Sequence, residues 1–254
     1  MQDSVQIEAK KLNFIYGEGT AFEQYAIKDV SFTIKKGEFV GVIGHTGSGK
    51  STLLKTILGL LKPQAGTVTL DGLSLQENHQ AFASQLAYVP ETPILYEALT
   101  LREHLELTAL GYGLDPAVVM ERAQPLLKLF RLDKQLDWFP THFSKGMKQK
   151  VMIVCALVSD AKFLIIDEPF LGLDPLAIQQ FKDILQARAQ AGCAILLTTH
   201  VLGLVENLAD SYLMMQAGRL YAQGTLADLQ EALEAPGASL DQLYIQMASR
   251  EVTA

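Results

Sequence analysis

The sequence predicts an α/β fold: a core of buried, parallel-type strands and helices, with short strands ahead of it and an inserted α-helical lobe. Three observations predict it. Residues 39–58 read as an apolar strand, a glycine loop and the start of a helix. A second continuous apolar run, Phe163-Leu164-Ile165-Ile166, ends in Asp167-Glu168. The carboxyl end of a core strand is where an open α/β sheet places its ligands. Between the two, residues from about 95 to 150 show helical spacing and no obvious strand.

Taken in order, residues 5–7 and 12–16 read as short strands, and Val30-Ser31-Phe32-Thr33-Ile34 alternates as a half-exposed strand should. Lys35-Lys36-Gly37-Glu38 turns into Phe39-Val40-Gly41-Val42-Ile43, a β-branched and aromatic run suited to a buried parallel strand. Ser51 to Leu58 opens an amphipathic helix, which Pro63 and Ala65-Gly66 end. Thr67–Leu70 and Leu86–Val89 read as strands, the second running into Pro90-Glu91-Thr92-Pro93, where two prolines forbid a helix. From Thr100 a helical pattern begins, and a second helix spans about 116–130. A connector, DKQLDWFPTHF, then leads to Ser144. Lys148–Ser159 and 176–190 are expected as helices, and Ala194–Leu197 as a strand followed by Thr198-Thr199-His200. Leu213-Met214-Met215 and Arg219–Ala222 flank Ala217-Gly218 as a hairpin, and the chain from Thr225 is helical with an open polar tail. The expected division is a core with its β subdomain over 1–92 and 151–230, a helical subdomain over 93–150, and a helical tail over 231–254.

Bulk numbers narrow the class. A chain of 254 residues, 49% hydrophobic, can bury a sizeable interior. Its formal charge of −7 carries no footprint for nucleic acid. Cys155 and Cys193 sit in the apolar runs IVCALV and GCAILL and read as small buried hydrophobes of a reducing compartment. The N-terminus lacks a signal-peptide core, and no apolar run approaches the ~20 residues of a membrane helix. A soluble chain is expected, touching a membrane only through another protein.

The chemistry concentrates in Gly44-His45-Thr46-Gly47-Ser48-Gly49-Lys50-Ser51, which matches the phosphate-binding pattern G-x-x-x-x-G-K-[ST] between a strand and a helix. Glycines 44, 47 and 49 let the backbone curl so that N–H groups point into one hollow, and the helix adds its own unpaired N–H groups. Lys50 is expected to reach the β- and γ-phosphates of a bound nucleotide, and the Ser51 hydroxyl to ligate Mg²⁺. Thr52 completes this candidate nucleotide site, and Tyr16, beside a glycine turn, is a candidate to stack on the base.

With FSKGMKQK at 143–150, FLIIDEP at 163–169, LGLD at 171–174 and TTH at 198–200 added to the phosphate loop, the chain resembles the ATP-binding-cassette (ABC) ATPases over about residues 5–230. Residues to about 70 resemble energy-coupling-factor ATPases of vitamin importers, and those from about 85 resemble the Ecs-type transporter ATPase. A natural blend, a recombinant and a designed chimera all stay open. The resemblance implies a P-loop ABC ATPase core with an N-terminal antiparallel β subdomain and an inserted α-helical subdomain, and ATP and Mg²⁺ as ligands. It makes Asp167 a metal ligand through water, Glu168 the residue that orients and deprotonates the attacking water, and His200 the holder of that water and the γ-phosphate. It places Asp174 at a subunit contact that couples two sites.

One residue and one segment depart from the family pattern. Glu91 stands where glutamine is usual and is expected to remain linked to the metal. In the signature segment Phe143-Ser144-Lys145-Gly146-Met147, Ser144 and the Gly146 N–H retain the means to cap a phosphate presented by a facing subunit, whereas Lys145 and Met147 are unusual.

The implied partners are a second ABC ATPase subunit, the same or different, and permease subunits docking near Glu91–Arg102, around Ile94, Leu95, Tyr96 and Leu99. No nucleic acid is expected, and the implied location is the cytoplasmic face of a bacterial cell membrane. The competing readings are a soluble cassette ATPase acting on ribosomes or DNA and a chimeric fold with no physiological partner. One cassette, no heptad run and an acidic balance favour the transporter subunit.

Overall fold

The computed structural model describes residues 5–251. The chain opens with β1 (Val5–Tyr16) and β2 (Gln24–Lys35). The two short strands expected at 5–7 and 12–16 are one strand. A register shift between Ala9 and Leu12, with Lys11 at φ 47, absorbs the polar Lys10-Lys11 step as a bulge. β3 (Phe39–Ile43) leads into α1 (Lys50–Ile57), followed by β4 (Ala65–Leu70) and β5 (Leu73–Ser74). The short helix α2 (His79–Ala83), unanticipated from the sequence, starts where the Asn78 side chain accepts from the Ala81 N–H, and β6 (Leu86–Val89) comes next.

The middle of the chain is helical, as expected. α3 (Leu101–Tyr112) starts at a reciprocal capping box between Thr100 and Glu103, and α4 (Pro116–Leu129) starts on an Asp115 cap with Pro116 in its first turn. A 3₁₀ turn at Pro140–His142 precedes α5 (Lys145–Val158). This helix begins at Lys145 rather than Lys148, because the Ser144 hydroxyl accepts from the Met147 N–H at 3.2 Å.

The remaining elements are β7 (Phe163–Asp167), α6 (Pro175–Gln190), β8 (Ala194–Thr198), α7 (Leu202–Val205) and the hairpin β9 (Ser211–Gln216) with β10 (Arg219–Gly224). α8 (Leu226–Ala232) and α9 (Leu240–Glu251) follow. Of the helical tail expected over 231–254, α9 occupies Leu240–Glu251, and residues 252–254 lie outside those described. Among the described residues no helix is long and apolar enough to cross a membrane.

Two sheets organise these elements. Four antiparallel strands run in the order β2-β1-β4-β5, and six strands run β10-β9-β3-β8-β7-β6. In the larger sheet β9, β3, β8, β7 and β6 are parallel, and only β10 runs against its neighbour. Its central strands are buried on both faces, and the period of two divides them. Phe39, Ile43, Val89, Leu164, Ile166, Ile195 and Leu197 join the core beneath α5 and α6. Val40, Val42, Leu86, Phe163, Ile165 and Leu196 join the core shared with α1 and the antiparallel sheet. Each fully buried Leu, Ile or Phe contributes about 1.5–3 kcal/mol, so this two-sided burial makes the sheet a rigid platform. Asp167 pairs with Thr198 and Thr198 with Val42, which sets the carboxyl ends of β3, β8 and β7 side by side.

Candidate functional site

At those carboxyl ends lies a cavity of about 380 Å³. It is lined by Thr46, Gly47 and Gly49 from the loop after β3 and Lys50, Ser51 and Thr52 from the first turn of α1, by Tyr16, Gln24 and Ala26 from the antiparallel sheet, and by Glu91, Asp167, Glu168 and His200. Residues far apart in sequence thus meet because three strands of one sheet end together.

The loop owes its shape to glycine where it matters most. Gly49 sits at φ 106 at the N-terminus of α1, and a Cβ there would run into the Ala26 carbonyl oxygen. α1 therefore starts without a side-chain cap, its first N–H groups turned to the loop. Lys50, only 7% exposed, folds back to donate to the carbonyls of Gly44 at 2.6 Å and His45 at 3.0 Å. Burial lowers its pKa, opposed by the negative charges of Glu168, Asp167 and Glu91. Gly44, His45 and Ser48 shape the loop without lining the cavity. The Ser48 hydroxyl is fully buried and has no hydrogen-bond partner among the described residues.

The acidic side is equally ordered. Thr198 donates its hydroxyl to Asp167 Oδ1 at 2.5 Å, and the Glu168 N–H donates to the Thr198 carbonyl at 3.1 Å. Glu168 adopts φ 47, a left-handed conformation uncommon for this residue type, which turns its side chain at the strand end. The His200 backbone N–H donates to Glu168 Oε2 at 3.0 Å, and the His200 ring Nε2 lies 3.2 Å from Oε1. That second contact is an ion pair only when the ring is protonated, and it lacks hydrogen-bond alignment, since Oε1 finds no such partner. Burial raises the Glu168 pKa, and the Asp167 charge adds to that. The His200 N–H, the His200 ring and Lys50 pull it back down.

The residue chemistry fits both expected ligands. A nest of N–H groups with a buried lysine suits a polyphosphate. Ser51, Glu91 and Asp167 bring only oxygen donors to the same cavity, the set a hard divalent cation prefers. Among the described residues no cluster of three or more His, Cys, Asp or Glu is arranged as a metal cage. Mg²⁺ is bound through one or two carboxylates and substrate phosphates rather than by such a cage. Tyr16 is 41% exposed at the rim, its hydroxyl 3.3 Å from Thr52 Oγ1 and its ring edge-on to Phe14.

Three predicted residues lie elsewhere in the chain. Ser144 and Gly146 are at the start of α5, and a Cβ on Gly146 would meet the Gly172 carbonyl, so this turn packs on the segment leading to Asp174. Asp174 caps α6 through the Ala177 N–H at 2.9 Å and pairs with Lys150 at 2.8 Å, the Lys150 bond being the main cause that holds its pKa down at about 2. None of the three lines the cavity. Of the expected docking residues, Ile94 and Tyr96 are 72% and 63% exposed, Leu95 packs partly on the main core, and Leu99 is half-buried.

Sequence reading missed Thr198, Gln24 and Ala26. Thr198 carried a signal: a hydroxyl ends the apolar strand next to the one ending in Asp167. Gln24 and Ala26 reach the cavity only through the packing of the antiparallel sheet, which no local pattern announces. Cys193 is buried and Cys155 half-buried, and burial pushes the Cys155 thiol up to about 11, in keeping with inert core residues.

Residues 27–171 match the family described as ABC transporter. The ABC-type transporter ATP-binding protein EcsA of Bacillus subtilis (strain 168) is 47% identical over 225 residues, covering 89% of this chain and 91% of its own. A solved ATP-binding subunit of an ABC transporter superposes with a TM-score of 0.90 at 46% identity, covering 96% of this chain and 99% of that one. The ATP-binding cassette MJ0796, solved as a dimer in a post-hydrolysis state bound to ADP and Pi, superposes with a TM-score of 0.76 at 26% identity over 87% and 98% of the two chains. The likeness to EcsA spans both the stretch before residue 70 and the stretch after 85, so a single relative accounts for most of the length.

Proposed function

The chain belongs to the ABC transporter family as its ATP-binding, ATP-hydrolysing subunit, and we propose that two such subunits close head to tail with the cavity at Lys50 of one facing Ser144 and Gly146 of the other. ATP-driven dimerisation of this kind energises a membrane transporter. One observation carries the pairing. Lys50, Asp167, Glu168 and His200 converge on one cavity, while Ser144, Gly146 and Asp174 of the same chain stand apart from it. A second chain is the natural source of the missing wall.

Each residue then has a physical task. The loop N–H groups and Lys50 bind phosphate oxygens, and Tyr16 stacks on the base at the rim. Ser51, Asp167 and Glu91 are the oxygen donors that would hold Mg²⁺, which supplies charge neutralisation when bound. Glu168 accepts the proton lost by the attacking water, and the strand-end geometry and the His200 N–H keep its carboxylate aimed into the cavity. His200, its ring 52% exposed, orients that water and the γ-phosphate. Facing Ser144 and Gly146 adds the positive end of α5 to the same phosphate.

The exposed pair Ile94 and Tyr96 is the docking point for a permease subunit on the cytoplasmic face of the membrane. The His104 ring accepts from the Tyr96 N–H at 2.9 Å and fixes this stretch. The finer kinship we favour is the Ecs-type one, because the docking stretch and helical part lie in that portion of the chain. Membrane fractionation tests the reading. The wild-type chain co-purifies with a permease subunit, Ile94→Asp does not, and co-purification with ribosomes instead would overturn the transporter assignment.

A further inference from the structure

Gln149 is 1% exposed on the second turn of α5, yet it is an amide rather than an apolar residue. Its Nε2 donates to the Pro90 carbonyl at 3.3 Å, a long hydrogen bond, and its Oε1 is buried with no partner among the described residues. An orphaned buried acceptor loses its hydration without replacing it and so costs stability. A leucine there would avoid that cost, so the amide is not what packing alone selects. Pro90 immediately precedes Glu91, which lines the nucleotide cavity. The same helix carries Gly146 against the Gly172 carbonyl and Lys150 on Asp174. Its first turns therefore touch both the loop bearing Glu91 and the segment expected at the subunit contact.

We infer that Gln149 is a positioning residue for ATP turnover, holding the Glu91 loop in register with the Ser144–Gly146 segment. This rests on the reading of the cavity as the nucleotide site. Gln149 touches neither substrate nor metal. Its amide fixes the carbonyl next to Glu91, so a carboxylate on one wall moves together with the helix that faces the partner subunit. Removing the amide lets the loop and helix shift independently while the phosphate loop, on another strand, stays as it is.

The test is a double-mutant cycle between Gln149→Leu and Glu91→Ala, read with ATP affinity and thermal midpoint as well as turnover. Gln149→Leu is expected to melt no lower than wild type, because the orphaned oxygen is gone, and to keep ATP affinity within about twofold. Its kcat falls about three- to thirty-fold, short of the ~100-fold of a full ångström misplacement. In the Glu91→Ala background the same substitution lowers kcat no further, an outcome a purely structural role would not produce. Unchanged kcat in Gln149→Leu, or a loss that multiplies in full on Glu91→Ala, overturns the inference. So does failure of both Gln149→Leu and the volume-matched Gln149→Met to fold. If the wild-type chain itself neither binds nor hydrolyses ATP, the nucleotide reading fails. If it turns ATP over while the two sites act independently, that reading stands and Gln149 alone loses its role.

Discussion

His200 holds Glu168 from two sides: its backbone N–H donates to Oε2 at 3.0 Å, and its ring Nε2 lies 3.2 Å from Oε1. The backbone bond fixes the carboxylate at the end of β7, while the ring remains 52% exposed and can turn without breaking it. The carboxylate is thus fixed by the backbone bond, and the exposed ring is left facing the cavity.

Glu168→Gln removes the proton acceptor and lowers phosphate release at least about 100-fold, while ATP binding persists. Because burial raises the carboxyl pKa, the acid limb of turnover in the wild type lies above the ordinary value of 4.5. The same shift has a stability consequence. A raised folded-state pKa means a contribution that is full below the unfolded pKa and lost as pH rises through the folded one. Glu168→Gln therefore melts higher than wild type at neutral pH, and the gap closes toward pH 4; calorimetric scans across that range check it.

Lys50→Ala weakens ATP binding at least about tenfold, the loss expected from a charge-assisted hydrogen bond and its neighbours. Burial lowers the Lys50 pKa against the pull of Glu168, Asp167 and Glu91. Wild-type affinity accordingly declines on the alkaline side earlier than an ordinary lysine at 10.5 would allow. Calorimetric titration in a pH series reads both effects.

Glu91→Gln exchanges a carboxylate for a neutral amide on the wall shared with Asp167 and Ser51. The Mg²⁺ concentration for half-maximal turnover rises about tenfold, while folding is retained because Glu91 is exposed. Mg²⁺ titration of turnover at fixed ATP measures it; an unchanged midpoint removes Glu91 from the metal set.

Asp174→Ala removes the cap of α6 and the pair with Lys150. The cap contributes about 1 kcal/mol, and the ion pair, screened by solvent on its Asp174 side, adds less than about 1 kcal/mol. The Lys150 bond, and then the Ala177 N–H, hold the carboxyl at about 2 against 3.8, so its stabilisation is present above pH 3.8 and lost as pH falls toward 2. Denaturant titrations of both proteins across that window should converge.

Much of this was legible in the sequence because local chemistry and global position agree. The strand–glycine loop–helix at 39–58 and the apolar run ending in Asp167-Glu168 announce both their own structure and their place at a strand end. The bulge at Lys11 was not legible, since two strands and one bent strand share the same alternation until pairing with β2 is known. Gln24 and Ala26 reach the cavity by packing between sheets, and Gln149 is significant only once Pro90 is beside it. The start of α5 at Lys145, ahead of the Lys148 that the apolar period suggests, is hidden because Lys145 and Gly146 interrupt that period.

The central claim is that the hollow at Lys50 takes a triphosphate whose far side a second chain supplies. Sedimentation velocity of Glu168→Gln with and without saturating Mg-ATP tests it most directly. The account predicts a monomer without nucleotide and a dimer with it, reversed by Lys50→Ala in the same chain. A species that stays monomeric with ATP bound would contradict it.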